Sequence, residues 1–383
     1  MRKILLFHGI VILVLVMLVF TGKVSGQHHL EFAGQVSAVA NYSPDNQLDV
    51  LLGGRYIPEL NYGIELGSAN MLDFDGSLNI YGSVSFLDFD SFVVAGNVRP
   101  YRLWARFTGK RYEIRAGLQK IDFGSAMLLR PLQWFNQIDP RDPLQLTYGV
   151  YGVLGRYYFL NNANIWLWVL YGNEETRGFD ALKTYSHHPE FGGRIQYPVP
   201  KGEIALSYNH RTADSRDLIH VSPFDQIPEE KFGVEGKWDV EIGVWFELCY
   251  IHRSKDIGIF TNQTLLTLGA DYTFGIGNGL NVMAEHLFTA SDRKPLAFSN
   301  TSNISASSIS YPLGLFDNLS CVLYYNWSSD GFSVFMNYAH QFKYVIGYFM
   351  AYYNATGQQS LQQNEFIDSF AGPGIRLMLV YNH

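Results

Sequence analysis

The sequence predicts an all-β fold: a transmembrane, antiparallel up-and-down β-barrel of about 16–18 strands, preceded by a cleavable signal peptide. Three observations predict it. The chain opens on a short apolar run behind basic residues. Apolar and polar residues then alternate, with no convincing helical period. Short turns alternate with long polar connections.

The N-terminal segment sets Arg2 and Lys3 before an apolar run from Ile4 to Phe20 and closes on Val24-Ser25-Gly26. That layout is a secretory signal. A permanent anchor needs about 20 apolar residues, and this run spans 17, broken at His8 and Gly9. The expected division is therefore a signal peptide over 1–26 and one barrel over 27–383. No cysteine near the cut would carry a lipid anchor. Removing Arg2, Lys3 and Lys23 from 28 Lys+Arg leaves 25 against 35 Asp+Glu, a net charge of −10, which argues against bulk nucleic-acid binding. Cys249 and Cys321 lie far apart in no metal or redox spacing, so two free thiols are expected rather than one disulfide.

Beyond the signal no apolar run is long enough for a spanning helix, although the chain is 47% hydrophobic and 15% aromatic. A membrane protein combines these properties when its apolar residues occupy one face of many strands. The first strand reads Leu30, Phe32, Gly34, Val36, Ala38. Next, Tyr101, Leu103, Ala105 and Phe107 alternate with Arg102, Trp104, Arg106 and Thr108, and Gly109-Lys110 turns the chain into Tyr112, Ile114, Ala116 and Leu118. One apolar and one polar face on either side of a tight turn is a hairpin signal. The unit recurs around Asn161-Asn162, Pro200-Lys201-Gly202, Asp239, 275–279 and 328–331. Longer polar connections are expected at 119–148, 172–190, 211–230, 251–262 and 290–316. A soluble sandwich would not require this one-sided loop asymmetry, which outer-membrane barrels show.

A direct count gives 17 strands, an odd number with a parity conflict near 340–373 that points to one strand split or missed, with Leu48–Leu66 and Phe89–Val94 as candidates. Tyr157, Phe159, Trp166, Trp168, Tyr171, Trp238, Tyr272, Phe274, Trp327 and Tyr338 fall near strand ends, where interfacial girdles form. The last strand, Ile375 to Tyr381, alternates to the end of the chain, which closes on Asn382-His383 rather than on an aromatic.

The segment Arg115-Ala-Gly-Leu-Gln-Lys-Ile-Asp-Phe-Gly124, with Leu129-Arg-Pro-Leu-Gln-Trp-Phe135, Asp139-Pro-Arg-Asp-Pro143, Glu190-Phe-Gly-Gly-Arg194 and Ser310-Tyr-Pro-Leu-Gly314, resembles porin-like outer-membrane proteins of the Bacteroidota. The likeness extends to the wider group with alginate-export and phosphate-selective channels and covers about residues 100–330. It implies a Gram-negative outer-membrane barrel that conducts solutes and names no solute.

Successive strand residues face opposite ways, so the polar faces should line the lumen. Arg102, Arg106, Arg111, Arg115, Arg156 and Arg194 would form an arginine wall that concentrates anions. Glu235, Glu241, Glu247, Asp271 and Glu285 would face it. The bland alternative is pairing within the wall, with Glu113 bridging neighbouring arginines. The segment from Lys120 to Thr147 is too apolar for a solvated loop. Folded inward, it would bring Asp122, Arg130, Trp134, Asp139, Arg141 and Asp142 to a constriction. Folded outward, it would be a cap or a subunit contact.

Enzyme chemistry finds little support. His286 beside Glu285 points to the opposite face, His187-His188 sits in a loop, and no Gly-x-Ser-x-Gly, phosphate loop or metal spacing occurs. The acids Asp73, Asp75, Asp88 and Asp90 lack a glycine-punctuated calcium loop. The expected function is a passive channel for small hydrophilic solutes with an anion preference. The alternatives are a plugged structural or adhesive barrel and a barrel hydrolase. No cofactor or metal is expected. The expected partners are outer-membrane lipid and lipopolysaccharide, the barrel-assembly machinery and further copies in a homotrimer.

Overall fold

A computed structural model describes residues 28–44, 49–67, 69–87, 91–217, 223–354 and 372–383. The signal-peptide expectation over 1–26 lies outside the described residues, as do Asp88 and Asp90. Eighteen long strands form the wall: β1 (His28–Tyr42), β2 (Val50–Glu65), β3 (Met71–Leu87), β4 (Ser91–Thr108), β5 (Tyr112–Gln119), β6 (Val150–Tyr158), β7 (Asn164–Leu170), β8 (Glu190–Val199) and β9 (Gly202–Asp214) in the first half. The second half holds β10 (Ile227–Asp239), β11 (Gly243–Arg253), β12 (Asn262–Phe274), β13 (Leu280–Asp292), β14 (Asn300–Pro312), β15 (Asp317–Asn326), β16 (Gly331–Gln341), β17 (Val345–Asn354) and β18 (Gly372–Asn382). A two-residue ladder, Lys183–Thr184, pairs with the end of β9 inside the β7–β8 connection.

Every strand pairs antiparallel with its sequence neighbours, and β1 pairs with β18 from Gln35↔Asn382 to Tyr42↔Ile375, which closes the sheet on itself. At that seam Gly34 and His383 exchange two backbone hydrogen bonds of 3.0 Å. The His383 ring packs against Phe32 and Tyr56. Closure matters because an open edge cannot be satisfied in hydrocarbon.

The faces are sorted inside out relative to a soluble protein. Leu206 and Leu268 are 61% and 54% exposed on the outer wall, while their neighbours Ser207 and Thr267 are buried inside. The wall therefore spans a bilayer with apolar side chains toward lipid and polar ones toward the lumen.

The count of 17 is corrected to 18. The missing strand is β14, hidden in the expected connection 290–316. Its outward residues from Thr301 through Asn303 and Ser305 to Ser307 are polar, and Ile309 follows only near the strand's end, so most of it shows no apolar outer face. With β14 restored, the 328–331 turn moves to the long-loop end, 342–344 becomes a short turn, and the parity conflict disappears. The stretch around Pro58 belongs to one continuous strand, β2; of the other candidate, Ser91–Val94 opens β4, which has a bulge opposite Ser77 and Leu78, while Phe89 lies outside the described residues. Trp168 and Trp166 are not girdle residues, for both pack inside the barrel against Phe123. Cys249 and Cys321 are free thiols.

Candidate functional site: a loop folded into the lumen

The wall is lowest at β5, β6 and β7, and between β5 and β6 the chain turns inward. Gly117 permits this departure. Its φ is +123°, and a Cβ there would lie 2.1 Å from the Leu103 carbonyl oxygen, so no other residue fits the approach. The two stems of the loop then pass so closely that a Cβ on Gly149 would sit 2.7 Å from the Gln119 oxygen.

Buried backbone needs partners, and two wall carboxylates supply them. Glu285 on β13 accepts from the backbone N–H groups of Met127 (2.7 Å), Leu128 (2.9 Å) and Leu129 (2.6 Å), and from Trp245 Nε1 (2.9 Å). Glu247 on β11 accepts from Ala126 (2.7 Å) and Leu132 (3.1 Å). Gly124, with φ +105°, keeps this contact open, since a Cβ there would be 2.4 Å from Glu247 Oε1. From β12, the Thr267 hydroxyl donates to the Leu129 carbonyl at 2.7 Å.

Apolar packing completes the attachment. Ile121, Phe123, Leu129, Leu132, Trp134 and Phe135 are buried with Leu154, Trp168 and Leu170 of β6 and β7 and with Ile251, Leu265 and Leu287 across the lumen. Phe135 meets Trp168 edge-on with centroids 5.2 Å apart, and Phe123 meets Trp134 at 5.5 Å. The second half of the loop crosses to the remaining wall. Arg141 pairs with Asp139 at 2.9 Å and lies 4.8 Å from the Phe335 ring of β16. Leu144 packs with Met350 and Met378 of β17 and β18. The Thr147 carbonyl accepts from Arg102 at 2.9 Å. Arg130 pairs with Asp122 at 2.6 Å.

The titration of the loop acids follows from these contacts. Burial would raise Asp122, but Arg130 and Lys120 outweigh it and hold the carboxyl below its ordinary value. Asp142 is pushed up by burial, reinforced by Asp139. Burial alone would lower Arg141; Asp139 beside it wins and raises it.

All six loop residues singled out in the sequence lie inside the barrel. The wall residues divide. Arg102, Arg106, Arg115 and Arg156 stand together on the inner face of β4, β5 and β6. Glu113 bridges three of them, at 3.0 Å from Arg115, 3.7 Å from Arg156 and 3.9 Å from Arg106. Asp73 takes Arg106 at 2.9 Å. Aromatic rings flank the guanidiniums: Trp104 lies 4.7 Å from Arg115, and Trp166 lies 3.9 Å from Arg156. Pairing within the wall is therefore real, as the bland alternative held.

Four sequence expectations need correction. Arg111 is in the β4–β5 turn and exposed, because β5 begins only at Tyr112. Glu241 is likewise in a turn. Glu247 and Glu285 do not line open lumen, since each is covered by the loop whose amides it accepts. Arg194 and Glu235 are a buried pair at 2.6 Å, 5% and 4% exposed. A transverse field between an arginine arc and a free acidic arc does not form from these groups.

A second buried network went unread in the sequence. Arg211 and Arg253 both hold Glu229, with Arg253 at 2.6 Å. Arg211 also reaches Asp180 at 2.8 Å, Lys231 pairs with Asp180, and Arg177 holds Glu190 at 2.9 Å. These contacts fasten the β7–β8 connection inside β9, β10 and β11. The available signal was parity: Arg211, Glu229, Lys231 and Arg253 occupy inward positions once β9 is extended to Asp214 and β10 is begun at Ile227.

No protein-family model matches the chain, and no curated protein sequence does. Solved structures do. The chain is similar to Pseudomonas aeruginosa OccD3 (OpdP), at 9% identity and a TM-score of 0.57, over 94% of this chain and 92% of that one. It is similar to Acinetobacter baumannii OccAB1, at 8% identity and 0.56, over 93% and 96%, and to an anion-selective porin from Comamonas acidovorans, at 12% and 0.51, over 93% and 100%. The likeness shows the fold: a closed antiparallel β-barrel similar to those of these proteins.

Proposed function

We propose that the chain is an outer-membrane channel for passive diffusion of small hydrophilic solutes, narrowed by the 120–149 loop and modestly preferring anions. The observation that carries the preference is unequal access within the paired wall. The side chain of Arg106 is 30% exposed and that of Arg156 16%, against 10% for Asp73 and 12% for Glu113. A passing ion meets more guanidinium than carboxylate, in a medium where such fields are weakly screened.

The same reading gives the barrel lipid and lipopolysaccharide around it, insertion by the barrel-assembly machinery, and association with further copies in a homotrimer. The Arg115–Gly124 and Asp139–Pro143 segments support a place beside the porin-like proteins of the Bacteroidota. Purified protein in a planar bilayer should show stepwise currents. Arg106→Gln with Arg115→Gln should move the reversal potential in a salt gradient toward cation preference. A barrel with no current steps would instead be a plugged structural one, and an unmoved potential would leave the arginines structural.

A further inference from the structure

The connection between β7 and β8 carries a four-residue turn, Arg177-Gly-Phe-Asp180, into the barrel, where Arg177 and Gly178 are buried. The Asp180 amide donates to the Arg177 carbonyl at 2.9 Å and closes the turn. Gly178 takes a left-handed φ of +53° at its tip, a conformation glycine adopts without steric cost. The turn stands between two bodies: the wall of β8, β9 and β10 behind it and the inward loop in front.

Behind, the hold is electrostatic. Arg177 Nη2 donates to both carboxylate oxygens of Glu190, the first residue of β8, at 2.9 Å and to the Thr184 hydroxyl at 3.1 Å. Thr184 accepts in turn from Arg211 of β9 at 2.8 Å. Asp180 pairs with Arg211 at 2.8 Å and with Lys231 of β10. No side chain among these five charged residues is more than 6% exposed. Breaking one such pair strands a buried charge, so the turn is fixed firmly to the wall.

In front, the contact is steric and aromatic. Gly178 meets Gln133 of the inward loop so closely that a Cβ would overlap the Gln133 carbonyl oxygen and lie 3.1 Å from its carbon. Phe179 packs against the buried cluster that contains Leu132, Trp134 and Phe135. Arg177 Nε and Nη1 have no hydrogen-bond partner among the described residues, and the Phe135 ring stands 5.7 Å from Arg177 Cζ, within reach of a cation–π contact. Gln133 cannot move alone. Its amide donates to the Arg130 carbonyl at 3.1 Å, and Arg130 pairs with Asp122. Leu132, one residue earlier, is held by Glu247 of β11. Adjacent loop residues are therefore gripped from two separate arcs of the wall, and close-packed contacts transmit a displacement at one to the other.

We propose that the Arg177–Asp180 turn is a wedge that sets where the inward loop stands in the pore, with Arg177 and Gly178 as its positioning residues. The proposal rests on the channel reading and adds a second element that determines the width and charge of the constriction without lining it. The test uses the full chain in planar bilayers, with heat-modifiable migration on gels to identify folded barrels. Gly178→Ala thickens the wedge by one methyl group where it meets Gln133 and should move the main current level and the reversal potential to new fixed values. Arg177→Gln loosens it and should raise the time in high-conductance sublevels about tenfold, the equivalent of ~1.4 kcal/mol. Arg177→Lys keeps a charge for Glu190 and should restore most of the native behaviour. Asp180→Asn weakens the hold on Arg211 and Lys231 and gives the same reading as Arg177→Gln should that variant fold poorly. Lys183→Ala, on the same segment but paired with Asp217 at the surface, should leave the currents native. Folded Gly178→Ala and loosened-wedge barrels with native current levels, sublevels and reversal potential overturn the wedge and leave the turn merely structural. If no chain, the native one included, shows current steps, the channel reading falls and trypsin judges the wedge: cleavage after Lys120 and Arg141 must rise in Arg177→Gln, and unchanged cleavage overturns it.

Discussion

Replacing Glu285 with alanine should release the inward loop. The change removes the acceptor for three consecutive amides, at 2.6 to 2.9 Å, and for Trp245 Nε1. An orphaned buried donor costs about 1–3 kcal/mol. The three loop amides alone therefore cost roughly 3–9 kcal/mol if none finds water. Lumen water rehydrates some of them, so about 3 kcal/mol is the working figure. At 1.4 kcal/mol per tenfold, that raises the population of released loop about 140-fold. Two assays read it: the time spent in high-conductance sublevels, and tryptic cleavage after Lys120 and Arg141. Glu285→Gln keeps one carbonyl acceptor and should fall between alanine and the native chain. If Glu285→Ala combined with Glu247→Ala conducts and resists trypsin as the native chain does, the account of how the loop is held is wrong.

Three further outcomes follow from the same geometry. Gly117→Ala should fail to fold or lose the inward stem, because its Cβ would lie 2.1 Å from the Leu103 oxygen; heat-modifiable migration on gels checks this. Glu229→Gln leaves Arg211 and Arg253 short of a buried counter-charge, a loss of about 3–5 kcal/mol, visible as a lower unfolding temperature. The loop acids predict opposite pH responses. The lowered Asp122 stabilises the docked loop above its ordinary carboxylate value, and that contribution is lost as pH falls through the depressed value. The raised Asp142 penalises docking as pH rises through its elevated value, so Asp142→Asn should slow tryptic cleavage near neutral pH and flatten its pH dependence.

The barrel was legible wherever the bilayer dictated the outer face, because lipid enforces a period of two. It was illegible at β14, where the outward Ser305 hydroxyl is engaged by His286 at 2.9 Å and by Trp327 Nε1 at 2.8 Å. Hydrogen bonds between neighbouring outer side chains let polar residues stand where apolar ones were expected. The loop's inward path was legible in its rings and prolines, since Trp134 and Phe135 needed cover. The role of Glu247 and Glu285 was not. Their partners are backbone amides, and an amide carries no sequence signature. Charge counting on lumen faces therefore overstated the acids available to solutes, and Arg111 was misplaced by the one residue that separates a turn from a strand.

The seam between β1 and β18 has a consequence for how the molecule comes into being. Gly34 and His383 are far apart in sequence, yet they share two hydrogen bonds. Until β18 has been made, β1 has no permanent neighbour on that side. A nascent chain that lacks β18 is a sheet with two unsatisfied margins, a state prone to aggregate. Closure of the wall therefore waits on its latest strand, and disruption of β18 should impair it far more than that strand's small share of the wall suggests.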